Sequence, residues 1–173
     1  LECKTPIDVV PYPVKEVKPQ NIDLKLNTEF NFLNVGLLGH RKNIENSLEW
    51  FLEEFKDNED VGYILKTARS KSSVFDRIHT EKHISSIVKR YPDSKCKIYL
   101  LHGNLSEEEM HSLYVHPKIN ALVSTTCGEG FGLPIFEASY SGLPVIATDW
   151  SAHLEFLTAP YKENRKIKEK KLF

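Results

Sequence analysis

Hydrophobic and polar positions alternate between short apolar runs and helical stripes from Phe30 onward. Phe30-Asn-Phe-Leu-Asn-Val35 reads as a buried strand that ends in the turn Gly36-Leu-Leu-Gly39. Ile44, Leu48, Phe51, Leu52 and Phe55 then recur at i, i+4, i+7, i+8 and i+11, the spacing of one helical face. Val61 to Lys66 is a second short strand. Phe75, Ile78, Ile84, Ile87, Val88 and Tyr91 return to helical spacing over residues 74–91, before Pro92. Lys97 to His102 is a third strand, and Ser106-Glu-Glu-Glu109 is a capping box opening a short helix with Met110, Leu113 and Tyr114. Ile119 to Ser124 is a fourth strand, followed by the glycine loop Gly128-Glu-Gly-Phe-Gly132. Pro134 suits the first turn of a helix reaching about Tyr140, and Gly142 suits its C-terminal cap. Pro144 to Thr148 is a last strand, and Ala152 to Leu157 a last helical piece. Strand and helix alternate with short connections, so the pattern predicts a doubly wound, mostly parallel α/β sheet.

The ends of the chain read differently. Residues 5–14 form a β-type run broken by prolines, which fits an edge strand or an interdomain hinge. Residues 15–29 are polar and mixed in charge, so residues 1–29 are expected as a hinge or linker and residues 30–161 as the folded domain. Residues 162–173 are a basic tail. Within it, residues 162–171 hold six basic and two acidic side chains, and a solvated, frayed segment is expected there. A basic arm touching a membrane or a polyanion is the alternative, and nothing else in the sequence supports it.

Composition narrows the class. The chain has 173 residues, 40% of them hydrophobic, with 9 Phe, 7 Tyr and 2 Trp, enough to bury a core. A net charge of −1 gives no basic field of the kind nucleic-acid binders carry. The three cysteines, Cys3, Cys96 and Cys127, lie far apart with no C-x-x-C pair, which points away from a disulfide scaffold or a cysteine-based zinc site and toward a reducing, cytoplasmic setting. No run approaches the roughly 18 apolar residues of a membrane helix.

Two glycine turns carry candidate chemistry, because ligands of open α/β sheets bind outside the carboxyl ends of the strands. The first is Gly36-Leu-Leu-Gly-His-Arg-Lys42, where Gly36 and Gly39 let backbone approach a ligand and Arg41 and Lys42 place two cations beside a helix N-terminus. Free N–H groups and the helix dipole already favour an anion such as phosphate there. The second is Thr126-Cys-Gly-Glu-Gly-Phe-Gly-Leu-Pro-Ile-Phe-Glu137. Its glycines free several N–H groups for one ligand, with a carboxylate at Glu129 in the loop and another at Glu137 on the helix. Phosphate donors flanked by two hydroxyl-binding carboxylates would suit a sugar–diphosphate–ribose ligand, whereas ordinary turns with solvated side chains are the plainer reading. His79 and His83 stand at i, i+4 but lack the H-E-x-x-H order, and no metal site is expected. His102, His111, His116 and His153 are expected in loop or surface roles, and Cys127 as a half-buried filler.

The run Gly128 to Ala138, followed by Ser141-Gly-Leu-Pro-Val-Ile-Ala-Thr148, resembles the E-x7-E region of group 1 retaining glycosyltransferases, with Phe32 to Gly36 and Arg41-Lys-Asn43 matching the family's other donor-site segment. The resemblance spans residues 30–158 and implies the C-terminal, nucleotide-sugar-binding half of a GT-B enzyme, made of two Rossmann-like domains. It implies that Lys42, with Arg41, contacts the donor diphosphate. Glu129 and the backbone of Gly130, Phe131 and Gly132 would hold the transferred sugar. Leu133 would lie beside the phosphates or ribose, Glu137 would accept from the ribose hydroxyls, and Leu105 would touch the base. The family carries arginine after the strand-ending glycine, where this chain has Leu37. No cofactor or metal is implied beyond the sugar donor. The implied partners are a nucleotide sugar and an N-terminal acceptor-binding domain, without nucleic acid.

Other readings are a nucleotide-sugar epimerase or phosphorylase of the same architecture, and a non-catalytic module that binds a sugar nucleotide or glycan. A nicotinamide oxidoreductase needs G-x-G-x-x-G in the first βα turn, and a P-loop hydrolase needs G-x-x-x-x-G-K-[ST]; neither is present.

Overall fold

The computed structural model describes residues 5, 6, 8, 10, 12–163 and 166–172. Strands β1 (Phe30–Val35), β2 (Val61–Lys66), β3 (Lys97–Leu101), β4 (Ala121–Ser124) and β5 (Val145–Ala147) alternate with helices α1 (Ile44–Glu54), α2 (Val74–Val88), α3 (Glu107–Tyr114) and α4 (Leu133–Tyr140). A short helix α5 (Leu154–Leu157) leads into strands β6 (Thr158–Glu163) and β7 (Lys166–Lys171). The first five strands form one sheet in the order β3-β2-β1-β4-β5. Every pairing in it is parallel, Phe32 lying opposite Tyr63 on one side and Ala121 on the other. This is the expected doubly wound α/β sheet. The strand order reverses between β1 and β4, so the connections leaving those two strands diverge and open a crevice at their carboxyl ends.

Local chemistry sets the helix ends that border this crevice. Ser106 and Glu109 form the reciprocal capping box at α3: the Glu109 N–H donates to the Ser106 hydroxyl and the Ser106 N–H donates to the Glu109 carboxylate. Helix α4 begins after Gly132, whose φ of 93° is open to glycine at little cost, and has Pro134 in its first turn. It ends at Gly142, φ 80°, where the Leu143 N–H reaches the Ala138 carbonyl and the Gly142 N–H that of Ser139, the paired bonds of a Schellman cap. Helix α2 stops at Val88, three residues short of the predicted end. There the N–H groups of Arg90 and Tyr91 bond three residues back, to Ile87 and Val88, and tighten the last turn before Pro92.

The sheet buries both faces. Leu33, Ile64 and Leu122 pack with Leu113, Tyr114, Ile135 and Ala138 of α3 and α4. Tyr63 and Leu65 pack with Leu48, Phe51 and Leu52 of α1 and with Ile84 and Ile87 of α2. The centre of the sheet is not purely apolar. Asn31 on β1 is fully buried, and its amide donates to the carbonyls of Thr28 and Lys118. Asn34 donates to the Tyr63 hydroxyl and the Val123 carbonyl. These side chains satisfy loop and strand carbonyls that β1 alone could not pair.

Of the segment 162–171, expected to fray, residues 162, 163 and 166–171 instead belong to an antiparallel pair that starts at Thr158, with Thr158 opposite Lys171 and Glu163 opposite Lys166; residues 164 and 165 lie outside the described set. The Leu172 N–H donates to the Leu157 carbonyl, and Lys171 pairs with Asp149, which ties the ribbon to the domain. Exposed lysines are compatible with such a ribbon, since they discourage pairing of its edge with another chain. Among the described residues of the N-terminal stretch none is in a strand or helix, so no edge strand is seen there; residues 7, 9 and 11 lie outside the described set.

Gly62 in β2 has no room for a side chain. A Cβ there would lie 2.1 Å from the Asn31 carboxamide oxygen and 2.7 Å from the Thr28 hydroxyl. Gly62→Ala is expected to destabilise the domain by about 3 kcal/mol or more, through overpacking of a satisfied polar cluster. Urea denaturation measures this, with Gly39→Ala, at a site open to solvent, as the near-neutral comparison.

Candidate functional site

The two glycine turns meet at the crevice. The Cys127 N–H and the Thr126 hydroxyl both donate to the Arg41 carbonyl, at 2.7 and 3.1 Å. The Asn43 amide donates to the Thr125 carbonyl, and the Thr125 hydroxyl donates to the Asn43 carbonyl. Asn43 sits at φ 56°, a left-handed conformation that asparagine tolerates better than most residues. The β1–α1 turn is therefore stitched along its length to the start of the β4–α4 loop.

That stitching brings Arg41, Lys42 and Glu129 into one cluster. Lys42 Nζ lies 2.6 Å from one Glu129 carboxylate oxygen and Arg41 Nη1 lies 2.9 Å from the other. Arg41 also donates to the Gly128 carbonyl at 2.6 Å. The Glu129 side chain is only 7% exposed, the Lys42 side chain 18% and the Arg41 side chain 58%. Burial pushes the Glu129 carboxyl up, but the hydrogen bonds from Lys42 and Arg41 outweigh it and hold the group below its ordinary value. Gly36 makes room for this arrangement: a Cβ there would meet the Lys42 side chain at 3.2 Å. Gly39 and Gly130 face open space, so backbone at both is accessible to a ligand.

Leu105 and Glu137 are brought together elsewhere, in a cavity of about 500 Å³ between α3, α4 and the N-terminal segment. Tyr12, Lys15, Met110 and Tyr140 also line it. The Tyr114 hydroxyl donates to Glu137 at 3.0 Å. Burial raises the Glu137 carboxyl above its ordinary value, although the Tyr114 hydrogen bond opposes the rise. The two carboxylates thus differ: Glu129 is held down by two cations in direct contact, whereas Glu137 accepts from a hydroxyl at a partly buried cavity wall, with His111 and Glu107 acting on it in opposite senses. Phe131 joins the two regions, its ring stacked on Tyr12 at 5.1 Å and packed against Phe136 and Phe156. Lys15 pairs with Glu107 at the cavity rim. Leu133, 38% exposed, opens α4. Leu37 is 54% exposed on the first turn.

Sequence reasoning missed Tyr114, Tyr12 and Ser151. Tyr114 reads as part of an apolar helix stripe, and neither Tyr12 nor Ser151 belongs to any local motif. His102 and His153 lie in loops, as expected, but both side chains are buried, whereas two residues depart from expectation: His111, half-buried on α3 against the Ser141 hydroxyl, and Cys127. His153 is fully buried, with its Nε2–H donating to the Thr148 carbonyl, because the β5–α5 connection folds over the glycine loop. The His102 side chain is 5% exposed and 3.6 Å from Asp76. Cys127 is exposed rather than half-buried: its backbone N–H and its thiol both reach the neighbouring turn, at the Arg41 and His40 carbonyls, along the open rim of the crevice. His83 pairs with Glu45. Among the described residues no group of three or more His, Cys, Asp or Glu is placed to hold a metal ion. No described helix is long and apolar enough to cross a membrane.

A parallel α/β sheet with both glycine turns at its switch point is the frame of the Rossmann-like, GT-B type glycosyltransferases. Residues 75–164, just over half the chain, match the family described as Glycosyl transferases group 1. The chain belongs to that family. Among curated proteins it is similar to the serotype-specific mannosyltransferase WbdA of Escherichia coli, 29% identical over 121 residues, which is 69% of this chain and 13% of the relative. The chain therefore spans about an eighth of the length of the relatives it matches. Among solved structures it resembles the C-terminal domain of the group 1 family protein LpcC from Francisella tularensis, with a TM-score of 0.56 and 21% identity, covering 75% of this chain and 66% of that one. It also resembles an alpha,alpha-trehalose-phosphate synthase (UDP-forming) from Burkholderia vietnamiensis, with a TM-score of 0.56 and 14% identity, covering 75% of this chain and 30% of that one.

The opposite displacement of the two carboxyls gives a prediction with a definite sign. A carboxyl lowered in the folded state stabilises the fold above its unfolded value and loses that contribution as pH falls through the folded value. A carboxyl raised in the folded state does the reverse, costing stability as pH rises from its ordinary value through the raised folded value. Glu129→Gln is thus expected to lower stability at pH 7 by about 1 kcal/mol and to flatten the acid limb of the stability profile. Glu137→Gln is expected to leave the melting temperature at pH 7 unchanged or higher. Thermal denaturation of both variants from pH 3 to 8 checks the pair.

Proposed function

We propose that this chain is the donor half of a retaining glycosyltransferase that takes a nucleoside diphosphate sugar. The observation that carries the reading is the convergence of Arg41 and Lys42 on Glu129, at the mouth of a glycine loop with open backbone. In this reading Arg41 and Lys42 turn from Glu129 to the donor diphosphate. The Glu129 carboxylate and the Gly130–Gly132 backbone then accept from and donate to the sugar hydroxyls. The cavity that joins Leu105 to Glu137 takes the nucleoside, with Leu105 against the base and Glu137 accepting from the ribose hydroxyls.

The chemistry follows from where charge develops. As the bond between the anomeric carbon and the diphosphate oxygen breaks, negative charge grows on the leaving oxygen. Arg41, Lys42 and the N-terminus of α1 stabilise it, a role in which one lost donor typically costs about 3 kcal/mol. The sugar then passes to an acceptor hydroxyl on the same face, with retention at the anomeric carbon, and the hydroxyl's proton passes to the departing diphosphate oxygen. Glu129 is a sugar-positioning group and not a covalent nucleophile. The acceptor side belongs to a facing N-terminal domain of the same protein. Mannose is the favoured sugar, on the strength of the likeness to a mannosyltransferase.

A second reading is a non-catalytic sugar-nucleotide-binding module, favoured by the exposed Leu37 in the place where the family has arginine. Calorimetric titration with UDP, GDP, ADP and their glucose or mannose conjugates tests the donor reading. Saturable binding of one nucleotide is expected, weakened about tenfold or more by both Lys42→Ala and Glu137→Ala. Binding that neither substitution alters would overturn it. Turnover of the bound donor by the longer protein, lost in Lys42→Ala, separates the transferase from the binding module.

A further inference from the structure

The connection from β5 to α5, residues 148–153, lies along the glycine loop. The Thr148 hydroxyl donates to the Thr126 carbonyl at 3.0 Å. A Cβ on Gly128 would come within 3.8 Å of the Trp150 ring, and one on Gly132 within 3.3 Å of the His153 Cβ. At the middle of this contact stands Ser151. Its φ is 91°, in the left-handed region that side-chain-bearing residues rarely adopt. A glycine would sit there without strain, yet the position holds a serine.

The hydroxyl accounts for that choice. The Glu129 N–H donates to Ser151 Oγ at 2.9 Å, and Ser151 Oγ–H donates to the Glu129 carbonyl at 3.0 Å. Both backbone polar groups of one loop residue are therefore satisfied by a single side chain, in a stretch with no helix or strand to pair them. Glu129 is also the residue whose carboxylate bridges Arg41 and Lys42. On its C-terminal side Gly130 is exposed and has no side chain to pack, and side-chain packing resumes only at Phe131.

We infer that Ser151 is a positioning residue: its hydroxyl latches the Glu129 backbone, and so sets where the Glu129 carboxylate stands relative to Arg41, Lys42 and the bound donor. The inference rests on the donor-site reading for its consequence, but the latch itself is a property of the ligand-free chain. It acts through Glu129 and does not touch substrate. Misplacement of a positioned group by about 1 Å is enough to cost on the order of a hundredfold in rate.

The test compares Ser151→Gly with Ser151→Ala. Glycine relieves the backbone strain and removes the hydroxyl, whereas alanine keeps the strain and removes the hydroxyl. Amide hydrogen exchange followed by NMR should show the Glu129 N–H exchanging at least about tenfold faster in both variants, with the amides of β1 and β4 unchanged. The melting temperature should fall in Ser151→Ala and hold in Ser151→Gly. An unchanged Glu129 amide in either variant overturns the latch, and so does acceleration spread evenly through the sheet. Calorimetry with GDP-mannose and UDP-glucose supplies the second arm. Weakening of about tenfold or more in Ser151→Gly, at undiminished stability, supports the positioning role. Unaltered affinity in a variant whose Glu129 amide has been freed overturns it. Failure of the unsubstituted chain to bind either probe counts against the donor reading, and the exchange arm then decides the latch by itself.

Discussion

The ion cluster of Glu129 with Arg41 and Lys42 is the interaction on which the arrangement of the crevice depends. It joins the turn after β1 to the loop after β4, the two connections that diverge at the switch point of the sheet. Without a tie of this kind the crevice would be bordered by two independent glycine turns. The Cys127 N–H and the Thr126 hydroxyl, both donating to the Arg41 carbonyl, hold the turns in register, and the carboxylate closes the tie. Two cations on one carboxylate leave a local excess of positive charge. An anion that draws Arg41 and Lys42 from Glu129 therefore meets two cations already gathered at the crevice.

Stability and function pull on the two carboxylates in opposite directions. Glu129 is stabilised by its partners and contributes to the fold. Glu137 is kept against burial beside an apolar cavity, with one hydroxyl as compensation. A carboxyl raised by burial costs the fold stability at neutral pH. Ser151 makes the same point in backbone terms, since a strained φ is kept for the sake of a hydroxyl.

Much of this fold is legible from periodicity and punctuation. The five parallel strands follow from short apolar runs separated by helical stripes, and the ends of α3 and α4 follow from Ser106, Pro134 and Gly142. The glycine turns are equally plain, because glycine clusters after a strand have few other uses. The polar centre of the sheet was not legible: the strand reading of Phe30 to Val35 gave Asn31 and Asn34 no partners, and only the fold shows that they pair with Thr28, Lys118, Tyr63 and Val123. Tyr114 and Ser151 stayed hidden for the same reason. Each acts on a residue 22 or 23 positions away, at a distance set by tertiary packing and not by any local spacing. The terminal ribbon was misjudged because a Lys- and Glu-rich composition predicts solvation, while strand pairing of the backbone is indifferent to it.

The central claim is that Arg41 and Lys42 serve a diphosphate, with Glu129 holding their place in the ligand-free chain. The most direct measurement is the titration of the Glu129 side-chain carboxyl by carbon-13 NMR, with and without saturating nucleoside diphosphate, GDP and UDP each in turn. The account predicts a carboxyl that titrates below the ordinary glutamate range in the free chain and moves upward when the nucleotide draws the two cations away and sets negative charge beside it. A Glu129 carboxyl that titrates at the same pH in the presence and absence of both nucleotides would contradict it.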